Sequence, residues 1–79
     1  MRIDKYLKVS RLIKRRTVAS EACQKGKVLV NGKIVKASYE VKIGDKIEIQ
    51  IGKVPVNVVV VSIKEYTKKE DAGKLYEIC

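Results

Sequence analysis

The sequence predicts a single α+β domain of 79 residues, with two short N-terminal helices packed on a small, mostly antiparallel sheet. Three observations carry this expectation. Helical spacing of apolar residues is confined to the first 25 or so positions, β-branched alternation takes over from Val28, and an Asn31-Gly32 pair stands between two apolar runs.

The elements follow in chain order. Residues 3–9 suit a short helix, since Ile3 and Leu7 lie one turn apart and Asp4 and Lys8 pair at i, i+4. Residues 10–16 hold Leu12 and Ile13 among Arg11, Lys14, Arg15 and Arg16, a basic connection. Thr17 is the expected N-cap of the second helix, in which Val18 with Ala22 and Ala19 with Cys23 repeat at i, i+4. Gly26 is placed to end it, because a glycine adopts positive φ without a Cβ clash. Val28–Val30 and Ile34-Val35 then read as a hairpin about Asn31-Gly32. A tight turn over residues 42–46 leads into a strand over 47–51, and Gly52 and Pro55 punctuate the next connection. Val56 to Ile63 predicts a strand buried on both faces for part of its length. Thr67 with Glu70 has the form of a capping box for one helical turn ended by Gly73, and residues 75–78 predict an edge strand.

Composition narrows the function. Lys and Arg number 18 against nine Asp and Glu, a formal charge of +9 that attracts polyanions. Residues 1–27 hold nine of the basic side chains and two acids, so the charge is concentrated in the helical third. Cys23 and Cys79 lie far apart and there is no histidine, which excludes a recognisable zinc site. No apolar run approaches the roughly 20 residues that span a bilayer, and no signal-peptide core is present, so the expected compartment is cytoplasmic. A nucleophile with an adjacent base and a phosphate-cradling glycine loop are both lacking, which argues against an enzyme and against a bound cofactor.

All four arginines, Arg2, Arg11, Arg15 and Arg16, fall in the helical third. Guanidinium forks match phosphates bidentately and stack on bases, and a dense basic face gains from counterion release. The candidate RNA-binding set is therefore Arg2, Arg11, Lys14, Arg15 and Arg16, with Lys5, Lys8, Lys25 and Lys27 as flanking phosphate contacts. Folding the second helix beside the first should bring Arg2 and the Arg15-Arg16 pair onto one surface. Asp4 has two readings: it orients a neighbouring arginine toward RNA, or it complements the positive end of the helix dipole. Tyr6 is expected in the core rather than on a base platform, Cys23 in the core, and Cys79 at the surface. A plain turn explains Asn31-Gly32 more simply than RNA contact does.

The stretch Arg2-Ile3-Asp4-Lys5-Tyr6-Leu7, followed by Ser10-Arg11-Leu12, Arg15-Arg16-Thr17 and Ala19, resembles the helical half of an S4-type (alpha-L) RNA-binding domain. Residues 26–32 are similar to its central signature and residues 41–47 to its glycine-aspartate turn. The match covers about residues 2–50, with 53–79 as a C-terminal strand extension of one domain over 1–79. The whole chain resembles the subfamily of small single-domain bacterial proteins that includes the RqcP-like factors of ribosome-associated quality control and the S4-type heat-shock protein. That resemblance implies binding to rRNA and peptidyl-tRNA on a stalled large ribosomal subunit. It further implies support of alanine tailing with RqcH as partner, without bond chemistry, and it points most firmly at Arg2 and Arg16. A regulator that binds free tRNA or another structured RNA would use the same domain, and a polybasic membrane-surface protein is disfavoured by the alternating strands. A monomer is the default oligomeric state.

Overall fold

The computed structural model describes residues 1–64 and 68–79, and Thr67 of the expected capping box lies outside the described residues, as does Tyr66. Two helices, α1 (Ile3–Val9) and α2 (Arg16–Gln24), precede strands β1 (Val28–Val30), β2 (Lys33–Ile34), β3 (Lys46–Ile49) and β4 (Val56–Val60). A 3-10 helix over Lys69–Lys74 leads to the last strand, β5 (Tyr76–Ile78). Every strand pairs antiparallel, in the order β2-β1-β3-β4-β5.

The two helices form one layer and the sheet the other. Inward residues Val28 and Val30 of β1, Ile47 and Ile49 of β3, and Val58 and Val60 of β4 meet Ile3, Tyr6, Leu7, Ala19 and Cys23 of the helices in one aliphatic cluster. Tyr6 is fully buried, and its hydroxyl donates to the Leu75 carbonyl at 2.7 Å. That bond ties the first helix to the end of the chain. Cys23 is buried and Cys79 exposed, both as free thiols.

Both helices end on left-handed residues. Gly26 (φ 71°) closes α2 in a Schellman motif, with its N–H on the Cys23 carbonyl and that of Lys27 on Ala22. The corresponding residue after α1 is Arg11 (φ 61°), whose N–H reaches the Lys8 carbonyl at 3.1 Å. In the β1–β2 turn Asn31 and Gly32 both have positive φ, as a type I′ hairpin requires.

Two local expectations are corrected. The second helix starts at Arg16 with Arg15 as its cap, not at Thr17. Arg15 is extended, and its carbonyl already accepts the first helical bond from Ala19, so the ladder begins before the Thr17 hydroxyl could cap it. The strand expected over 56–63 stops at Val60 and is buried on one face, with Val58 and Val60 inward and Val59 only half-buried. It stops because Val61 and Ser62 both donate to the single Leu75 carbonyl, a two-against-one pattern that breaks the ladder.

Candidate nucleic-acid interface

Arg2 stands immediately before α1, and α1 begins without a side-chain cap. Its leading N–H groups are instead satisfied from a distant segment: Ile3 donates to the Tyr39 carbonyl at 2.8 Å and Asp4 to that of Ala37 at 3.3 Å. Lys5 N–H is taken by the Asp4 carboxylate at 2.8 Å. An isolated bridge between Arg2 and Glu40 extends the same join. The start of α1 is thus docked on residues 37–40, which fixes where the Arg2 and Asp4 side chains leave the backbone.

Asp4 is the centre of the site. Its carboxylate meets Arg2 through Nε at 3.3 Å and Nη2 at 3.3 Å, and Arg16 through Nε at 3.4 Å. The Asp4 side chain is 4% exposed, whereas those of Arg2 and Arg16 are 50% and 47% exposed. A buried anion therefore holds two half-exposed guanidinium groups from beneath. Each guanidinium has more N–H donors than these contacts use, and a held guanidinium fork suits bidentate phosphate contact. Arg16 also sits at the first position of α2, where a cation opposes the helix dipole, and Asp4 offsets that cost. Asp4 thus pairs with two arginines and also stands in the first turn of α1, so its position fits both the orienting and the dipole reading.

The other candidates are distributed around this centre. Lys8 is exposed in the last turn of α1, and Arg11, Lys14 and Arg15 are exposed in the connection to α2. Lys5 is half-buried on α1 and engaged in a contact of its own. Lys25 and Lys27 form a separate group beyond the end of α2, around a recess shared with Glu21 and Ile51. The ion pairs join Arg16, not Arg15, to Arg2.

A second polar cluster supports the frame. Asp45, 8% exposed, accepts from the Tyr39 hydroxyl at 2.9 Å, the Lys42 N–H at 3.0 Å and the Asn31 amide at 3.2 Å. The Asn31 side-chain oxygen in turn accepts from Lys46 N–H at 3.1 Å. Asn31 thereby locks the hairpin to the glycine-aspartate turn, a structural task that accounts for its presence. Burial first, and then the Asp45 hydrogen bond, push the Tyr39 phenol above its ordinary pKa. Because the same Tyr39 supplies the carbonyl that receives Ile3, this cluster also seats the Arg2 end of α1. The role of Tyr39 was not legible in the sequence, where it shows no spacing relation to either partner. Among the described residues no acidic, histidine or cysteine group could hold a metal ion, and no helix is long and apolar enough to cross a membrane.

Comparison with known proteins agrees with this architecture. The S4 domain family matches residues 1–47. A protein of Streptococcus pneumoniae named RQC P-site tRNA stabilizing factor is 54% identical over 99% of this chain and 89% of its own length. One of the same name from Halalkalibacterium halodurans is 51% identical, with the same coverage. The solved trimeric structure of Vibrio cholerae Heat Shock Protein 15 superposes with a TM-score of 0.94 at 30% identity, covering all of this chain and 81% of that one. The helix pair carrying the Arg2–Asp4–Arg16 cluster, the locked hairpin and turn, and these relatives together establish that the chain belongs to the S4 domain family, alongside the RQC P-site tRNA stabilizing factors.

Proposed function

We propose that this protein binds rRNA of the large ribosomal subunit and P-site tRNA through Arg2 and Arg16. Arg11, Lys14 and Arg15 would extend the contact, with Lys5, Lys8, Lys25 and Lys27 as flanking groups. The observation that carries the reading is the buried Asp4 carboxylate pairing with two half-exposed arginines. The names of the relatives, which specify a P-site tRNA, support the choice of RNA. In this reading the whole chain, 1–79, works as one monomeric cytoplasmic domain and steadies peptidyl-tRNA on a stalled subunit. It assists a partner such as RqcH in alanine tailing and performs no bond chemistry.

The test is sucrose-gradient fractionation of tagged wild-type protein beside Arg16→Ala. Wild type should sediment with large subunits containing peptidyl-tRNA, and the variant should move to the top. The substitution leaves Asp4 paired with Arg2, so thermal stability should change by less than about 1 kcal/mol. A variant that unfolds as much as it dissociates would make Arg16 structural. Wild type remaining at the top at physiological salt would refute the ribosomal role and turn attention to free tRNA or another structured RNA.

A further inference from the structure

Beside the arginine pair, between α2 and the segment that follows β2, runs a groove of about 630 Å³, within the size range of small-ligand sites. Its floor is apolar, made by Cys23 of α2 with Val35 and Ala37 of the facing segment. Its polar lining comes from Ser20 and Gln24, one helical turn apart on α2, and from Ser38 on the other wall, beside the exposed Ile34. The charged residues lining it are Arg2 and Lys36, both cations. Among the described residues, the side chains of Ser20, Gln24, Lys36 and Ser38 carry no hydrogen bond or ion pair of their own.

We infer that this groove takes one unpaired nucleotide of the bound RNA, with its base on the floor and its phosphate between Arg2 and Lys36. The inference rests on the RNA-binding reading and deepens it. A nucleobase has apolar faces and an edge of mixed donors and acceptors. The groove offers the complement, an apolar floor beneath an amide and two hydroxyls that both donate and accept. A fully paired helix presents its phosphates but cannot insert a base, so it would engage the arginines and leave the groove empty. Arg2 belongs to both features. A strand whose phosphate rests on Arg2 is therefore delivered to the groove mouth, and Lys36 supplies a cation for its phosphate there. Gln24 and Ser38 are exposed and their side chains carry no hydrogen bond or ion pair, so their truncation tests binding with little cost to the fold.

The experiment measures binding, by fluorescence anisotropy, to a fully paired RNA duplex and to the same duplex with one bulged 2-aminopurine. Wild type should prefer the bulged RNA by about tenfold or more, and the emission of the 2-aminopurine should change on binding as the base leaves solvent. Gln24→Ala combined with Ser38→Ala should abolish the preference and the emission change while leaving duplex affinity as it was. Arg16→Ala should weaken both RNAs by a similar factor and keep the preference. Equal wild-type affinity for the two RNAs, or loss of both alike in the double variant, would overturn the groove and leave the arginine site standing. A wild type that binds neither RNA would overturn the RNA reading and the groove together.

Discussion

Replacing Asp4 by Asn keeps the shape and removes the charge, and its two expected consequences run in opposite directions. The carboxylate is buried and meets Arg2 and Arg16 at 3.3–3.4 Å. By simple Coulomb attraction, deleting one negative charge from a basic surface should favour a polyanion by about 0.5–1 kcal/mol at ~5 Å in water. The structure argues the reverse for RNA. An asparagine oxygen can still accept from Lys5 N–H, but its NH2 group would face an arginine donor, so at least one guanidinium turns away into solvent. Loss of one oriented bidentate contact weakens RNA binding by about 1–2 kcal/mol, roughly five- to thirtyfold in Kd. The fold loses about 1–2 kcal/mol as well, because the removed group is the buried partner while the arginines can rehydrate. For a domain this small that lowers Tm by roughly 5–15 °C. Titration of a structured RNA at two salt concentrations, well below Tm, separates the effects. Weaker binding with a salt slope reduced by about one would mark a lost phosphate contact. Affinity unchanged or increased in Asp4→Asn would refute the orienting role and leave only the dipole reading.

Two further predictions concern the frame around the site. Arg11→Gly removes a non-glycine residue from φ 61° and should raise stability by about 1 kcal/mol, read as a higher denaturant midpoint; a loss of stability would mean that the Arg11 side chain holds the fold. Tyr6→Phe removes the bond to Leu75 and should cost about 0.5–1.5 kcal/mol at neutral pH. Burial, and then the neighbouring Tyr76, raise the Tyr6 phenol above its ordinary value of 10.0. The stability it contributes is complete below that value and is lost as pH climbs through the higher folded one. The gap between wild type and Tyr6→Phe should accordingly hold constant below about pH 10 and narrow above it, and a gap that stays constant in urea titrations carried past that pH would refute the coupling.

Most of the secondary structure was legible because its causes are local. Ile3 and Leu7 one turn apart, Gly26 after the last helical turn and Asn31-Gly32 between apolar runs each act within a few residues. The errors share a cause too. Thr17 was a sound cap by type, but the preceding turn already places Arg15 in extended conformation with its carbonyl engaged. Val61 to Ile63 have strand composition, yet a single carbonyl 14 residues beyond Val61 ends the ladder at Val60.

By itself, the sequence determined an α+β domain whose arginines all lie in its helical third, since residue type and short spacing suffice for both. The family resemblance already pointed at Arg2 and Arg16, but only the tertiary structure joined them through one carboxylate. Arg2 and Arg16 are 14 positions apart and on different helical elements, and they become a pair because packing α1 against α2 puts the buried Asp4 between them. The seat of that aspartate depends in turn on carbonyls of residues 37 and 39, and Tyr39 on Asp45. Contacts across such separations follow from how the layers pack, and no local spacing encodes them.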